Sequence, residues 1–249
     1  LLVPGVNVGL SLVGEFGYSI TGLPGGVAFG LSAGGRVLAV GLPNYKGPSG
    51  EQAIAMGAVQ FLRFSDSSWD VPLDDYLLEK SDALDLTDNE RFGSSVAFLG
   101  KLGSKSVVAV GSELADIAGG TDVGTVRLFE TDGDEWTSFK MYDTAELSLA
   151  DSGHFGSALA ALGDINGDGY PDLAVGAETS NGSGMIFTLL LQDATGDIKE
   201  AHHILNGEGG LPSNTLTAFG RFGRSIASLG DFNGDEVNDL AVGAELNTD

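Results

Sequence analysis

Short apolar stretches bounded by glycine recur along the chain, and none reaches the 18 residues that would suggest a membrane-spanning helix. Leu38-Ala39-Val40-Gly41, Val108-Ala109-Val110-Gly111, Leu173-Ala174-Val175-Gly176 and Leu240-Ala241-Val242-Gly243 have the length of buried strands rather than helices. A second set reads as strands on its β-branched and aromatic content: Gly57 to Leu62, Gly124 to Phe129 and Gly184 to Leu189. Weaker strands are expected over Trp136 to Tyr142 and Ile198 to Leu205. Within residues 1–14, Val6, Val8, Leu10 and Leu12 alternate as in one further strand.

Each Ala-Val-Gly stretch follows a second recurring phrase. Phe16-Gly17-Tyr18-Ser19-Ile20, Phe92-Gly93-Ser94-Ser95-Val96, Phe155-Gly156-Ser157-Ala158-Leu159 and Phe222-Gly223-Arg224-Ser225-Ile226 are spaced by 76, 63 and 67 residues. From each Phe to the closing Gly is 25, 19, 21 and 21 residues. Eight ordered matches define a repeat protein. About four short strands per unit predict an all-β fold, a β-propeller of four-stranded antiparallel blades. Inner strands crowd the axis of such a ring, which suits Ser157, Ala158, Ala160 and Ala161, and equally Ser225, Ala227 and Ser228. The phenylalanines are expected to pack between blades.

As a single partial propeller, the chain divides into the end of a preceding blade (1–14), blades at 15–90, 91–153 and 154–220, and the start of another at 221–249. A seven-bladed ring at about 65 residues per blade needs roughly 450 residues, so the segment is expected to be part of a larger ring. A closed four-bladed ring sealed by the N-terminal strand is the alternative. The chain begins without methionine and is expected to be a fragment or a processed product.

Glycine makes up 39 of 249 residues, a density that disfavours helices. Twelve basic against 35 acidic residues leave a net charge of −23, which repels nucleic acid and anionic membranes and attracts divalent cations. With no cysteine there are no disulfides, no thiolate catalysis and no common structural zinc site.

The acidic excess has a focus. Asp164-Ile165-Asn166-Gly167-Asp168-Gly169-Tyr170-Pro171-Asp172 joins the first two strands of the third unit, and Asp231-Phe232-Asn233-Gly234-Asp235-Glu236-Val237-Asn238-Asp239 does so in the fourth. Both place side-chain oxygens at positions 1, 3, 5 and 9. Calcium takes six to eight oxygen ligands, and position 7 adds a backbone carbonyl from Tyr170 or Val237. Two structural calcium sites are therefore expected: Asp164, Asn166, Asp168, Tyr170 and Asp172, then Asp231, Asn233, Asp235, Val237 and Asp239. Asx turns explain Asp-x-Asn-Gly alone but not three aspartates at one spacing, twice. Position 12 is Val175 or Val242, so neither loop is an EF-hand. Glu236 replaces Gly169, and weaker binding is expected there. The second unit has the shorter Lys101-Leu102-Gly103-Ser104-Lys105, and the first a Gly-rich connector without acids; no metal is expected in either.

Phe-Gly, a calcium loop and Leu-Ala-Val-Gly-Ala together resemble the FG-GAP repeat of the integrin α-subunit β-propeller. The third unit, Phe155 to Ala177, matches closely, and Phe222 to Ala244 nearly as well. The resemblance implies seven blades, structural calcium in some of them, an extracellular or cell-surface location, and a role in protein binding or adhesion through a protein ligand or partner subunit. FG-GAP repeats also occur in secreted enzymes such as glycosylphosphatidylinositol-specific phospholipase D and bacterial lyases. A non-catalytic propeller attached to a hydrolase or lyase is thus the alternative.

No catalytic constellation stands out. The chain lacks a Gly-x-Ser-x-Gly elbow and a P-loop. His154, His202 and His203 read as surface or core filler, and Asp74-Asp75 and Asp134-Glu135 as solvated acids near turns. Asn181-Gly182-Ser183 is a glycosylation sequon. The variable loops 43–56 and 113–122 are the candidate partner contacts.

Overall fold

A computed structural model describes residues 19–23, 36–46, 56–64, 74–80, 84–117, 119–131, 136–143, 147 and 153–247. The Phe16-Gly17 phrase, the alternating segment 1–14, the acids at 134–135 and most of loop 43–56 lie outside them.

The described residues are all-β apart from one short 3-10 turn, Ser180–Gly182, and the helical residue Leu147. Strands β1 (Ser19–Leu23), β2 (Arg36–Leu42), β3 (Ala58–Phe64) and β4 (Asp74–Leu78) form one antiparallel sheet in sequence order. The second sheet is β5 (Phe92–Leu102), β6 (Lys105–Ser112), β7 (Thr125–Thr131) and β8 (Thr137–Tyr142). The third is β9 (Phe155–Gly163), β10 (Asp172–Ala177), β11 (Met185–Leu191) and β12 (Ile198–Ile204). Strands β13 (Phe222–Gly230) and β14 (Asp239–Ala244) pair as a fourth. These are propeller blades: three four-stranded sheets in tandem and two strands of the next.

Burial follows position in the blade. Strand β10 is buried at every residue and β6 at all but its first, because both faces meet neighbouring blades. This is why they read as unbroken apolar runs. The outer strand β12 is mostly exposed and carries Lys199, Glu200, His202 and His203. Asp74 and Asp75, expected near a turn, instead open β4 in register with Arg63 and Leu62; an outer edge strand tolerates such residues.

The blades interlock through the repeated phrases. Phe155 is fully buried, meets Phe187 edge-on at 5.7 Å, and lies in a core cluster shared by the second and third sheets. Phe92 does the same between the first and second. The closing glycine of one blade touches the opening glycine of the next: a Cβ on Gly176 would sit 2.1 Å from the Gly223 carbonyl oxygen. Gly184, at φ 90, bridges to Phe222, and a Cβ there would meet that residue's carbonyl at 2.2 Å. Glycine recurs at these places because two backbones occupy the space a side chain would need. Near the axis the small inner-strand residues leave a cavity of about 340 Å³ bordered by Ser94, Ser95, Ser157, Ser225 and Arg224.

Candidate metal loops and the blade-junction charges

The third-unit loop follows β9 and is drawn tight by its own carboxylates. Asp164 Oδ1 accepts the N–H groups of Gly167 (2.8 Å) and Asp168 (3.0 Å), and its Oδ2 accepts that of Gly169 (2.7 Å). Asn166 Oδ1 takes a second bond from the Asp168 N–H at 2.9 Å, and Asp168 Oδ1 accepts the Tyr170 N–H at 3.1 Å. Asp172 closes the turn from the first position of β10. Its carboxylate is fully buried and accepts the N–H groups of Ile165 and Leu191, both at 2.9 Å.

The fourth-unit loop repeats this pattern. Asp231 accepts from Gly234 (2.6 Å), Asp235 (2.9 Å) and Glu236 (3.0 Å). Asn233 accepts from Asp235, and Asp235 from Val237, each at 2.9 Å. Asp239 accepts from Phe232 at 2.8 Å. Two differences separate the loops. Glu236 holds a left-handed φ of 68°, where Gly169 stands at 91° in the other, and a side chain at such an angle costs about 1–2 kcal/mol. Asn233 also donates its amide to Asp235 Oδ2 (3.1 Å) and Asp239 Oδ1 (3.2 Å).

The electrostatics of the third loop are those of crowded carboxylates. Burial pushes Asp172 above the ordinary carboxylate range; the Ile165 and Leu191 N–H groups oppose this, and the charges of Asp168 and Asp164 add to it. Burial would also raise Asp168, but the Tyr170 N–H, Asn166 and Lys199 together hold it below its ordinary value. Lys199 Nζ lies 3.4 Å from Asp168 Oδ2.

The donors suit a hard cation, since all are oxygens and, in the third loop, Asp164 Oδ2, Asp168 Oδ1 and both Asp172 oxygens accept one backbone N–H each and keep a lone pair. Among the described residues, however, no three His, Asp or Glu side chains converge as a ready-made ligand cluster. The carboxylates face backbone N–H groups and, at Asp168, Lys199. Asp164, Asn166, Asp168, Tyr170 and Asp172 share one turn, as do Asp231, Asn233, Asp235, Val237 and Asp239, without being closed on one point.

A second constellation was not anticipated from the sequence. Arg91, His154 and Arg221 each precede the Phe of their unit, and each has a left-handed φ, of 58°, 53° and 54°. Each faces a glutamate two residues after a closing glycine: Arg91–Glu113 at 2.5 Å, His154–Glu178 at 3.3 Å and Arg221–Glu245 at 3.5 Å. His154 is therefore held against Glu178 by a hydrogen-bond contact rather than being filler. Arg224 spans units, with Nη1 3.2 Å from Glu113 and Nε 3.3 Å from Glu178. Burial would raise Glu178, but the His154 hydrogen bond and the charges of Arg224 and Arg221 hold it below its ordinary value. The signal lay in the sequence as a base before Phe and an acid after Gly in three units. His202 and His203 lie exposed on β12, beside Glu200 (3.4 Å) and Glu208 (3.0 Å) respectively.

Residues 155–189 match the FG-GAP repeat family. Integrin alpha-2 of Mus musculus is 39% identical over 91 residues, 36% of this chain and 7% of that protein. Integrin alpha-PS5 of Drosophila melanogaster is 35% identical over 147 residues, 55% of this chain and 13% of that protein. Integrin alpha-7 of Homo sapiens is 32% identical over 126 residues, 50% of this chain and 10% of that protein. The aligned stretch is thus about a tenth of the length of these relatives. The blades and the repeat match together give a β-propeller segment that contains an FG-GAP repeat at residues 155–189. Over about half of its length the chain is similar to integrin α subunits.

Proposed function

We propose that this segment is a calcium-stabilised propeller module that binds protein partners in an extracellular, adhesion-type setting. Two structural calcium ions are held by Asp164, Asn166, Asp168, the Tyr170 carbonyl and Asp172, and by Asp231, Asn233, Asp235, the Val237 carbonyl and Asp239. The observation that carries the reading is one aspartate-rich turn at equivalent places in two blades, with the same backbone N–H bonds to its first, third and fifth residues, and with Asp172 pushed upward partly by its neighbours' charges. A divalent ion would neutralise that repulsion and rigidify the first-to-second strand connection. Its role is structural, and no reaction is assigned to it.

The similarity to integrin α subunits supports protein partners and a cell-surface or secreted location. Residues 113–122 and 43–56 are the proposed contact loops. Asn181 is exposed in the 3-10 turn, available for glycosylation. No helix among the described residues is long and apolar enough to cross a membrane. Thermal unfolding with calcium against chelator tests the calcium reading: a higher midpoint with calcium supports it, and identical midpoints reject it.

A further inference from the structure

We propose that Lys199 is a built-in competitor of calcium, an ammonium that neutralises Asp168 in the ion-free loop and lowers the calcium affinity of the third blade. This rests on the calcium reading above and adds a residue that sets the affinity.

Three observations carry it. Lys199 lies on the outer strand β12, 31 residues from Asp168 in sequence, yet its Nζ is 3.4 Å from Asp168 Oδ2. The other oxygen of Asp168 accepts the Tyr170 N–H, so an ion approaching Oδ2 would meet the lysine there. In the fourth loop Asp235 meets the neutral Asn233 amide, as Asp168 meets Asn166, but no lysine is paired with it among the described residues.

Calcium sits 2.3–2.6 Å from a ligand oxygen. An ion on Asp168 Oδ2 and an ammonium 3.4 Å from that oxygen would be no more than about 6 Å apart. A double and a single positive charge at that separation, in high dielectric and physiological salt, cost about three- to tenfold in affinity. The lysine has room to withdraw. Its side chain is 46% exposed, and it borders an open cavity of about 500 Å³ with Lys140, Leu147, Gln192 and Glu200. Its flexible stem permits the move. Lys140 is already paired with Asp197 at 2.8 Å, so Lys199 is the cation that answers to the loop.

The test titrates calcium chloride by calorimetry into the whole chain as wild type, Lys199→Met, Lys199→Gln and Lys199→Arg, with Asp164→Ala marking the third-blade site. Met and Gln are expected to tighten that site three- to tenfold, and Arg to leave it near wild type. The gain should shrink as potassium chloride rises from about 0.05 to 0.5 M. Unchanged or weaker binding in both neutral variants, with the site still lost in Asp164→Ala, overturns the role of Lys199 and leaves the calcium site standing. No calcium heat in any variant overturns the calcium reading and this proposal with it.

Discussion

The buried carboxylate of Asp172 accepts the N–H of Leu191 at 2.9 Å, at the far end of strand β11. Its second oxygen accepts the N–H of Ile165, so one side chain ties the loop to the third strand of the blade. Asp172→Ala leaves the buried Leu191 donor and the half-buried Ile165 donor without acceptors and is expected to destabilise the chain by about 2–4 kcal/mol, even in chelator. Asp172→Asn keeps an acceptor and removes a charge that its neighbours repel. It should cost clearly less in chelator, yet abolish the third-blade response to calcium. Denaturant melts of both variants, with and without calcium, check the pair; equal losses in chelator would contradict the assigned bonds.

Acid should act on Glu178 and Asp172 in opposite senses. Glu178 is held below its ordinary 4.5, so its contribution is complete above that value and is lost as pH falls through its lower folded-state value. Asp172 is held above its ordinary 3.8. Its ionised form therefore costs stability at neutral pH, and that cost fades as pH falls through the raised value. In chelator, Glu178→Gln should flatten the acid side of the stability curve below about pH 4.5, while Asp172→Asn should steepen it. Melts from pH 3 to 7, a span of about four units, read both slopes.

Arg224 joins charges from two units, since Glu113 and Glu178 are only 2% and 4% exposed. Removing one partner of a buried pair is costly, although Arg91 remains beside Glu113 and the His154 ring beside Glu178. Arg224→Met is expected to cost about 1–3 kcal/mol. A double-mutant cycle with Glu178→Gln should show coupling above about 0.5 kcal/mol; strict additivity would mean the contact does not contribute.

Two glycines should respond very differently to alanine. At Gly176 the new Cβ would strike the Gly223 carbonyl at 2.1 Å, and neither backbone can yield without separating the blades. A loss of about 3 kcal/mol or more is expected. At Gly167 nothing lies within 4 Å, and only its φ of 76° is at stake, so about 1 kcal/mol should be lost. Urea denaturation of both variants ranks them.

The architecture was legible because blade contact leaves its mark locally. Phe155 and Gly176 recur in each unit since the neighbouring backbone dictates them. Strand β4 was missed because Asp74 and Asp75 lack an apolar alternation. The loops were legible from the spacing of Asp164, Asp168 and Asp172, a pattern contained within nine residues. The partners that tune them were not. Lys199 reaches Asp168 only through the register of an outer strand, and Arg224 meets Glu113 across 111 residues. Such pairings depend on how sheets stack, which local pattern does not encode. The His154–Glu178 pair was readable only by comparing positions across units.

Calcium stoichiometry tests the central claim most directly. Equilibrium dialysis of the whole chain should find two ions per chain, with a dissociation constant of about 0.1–1 mM for extracellular modules of this kind. Asp164→Ala should leave one, and Asp164→Ala combined with Asp231→Ala none. At about ten times the dissociation constant each occupied loop adds about 1.4 kcal/mol, which a melt should register as a rise of roughly 3–6 °C per site. A wild-type chain that binds no calcium, or one whose binding survives both substitutions, would contradict the account.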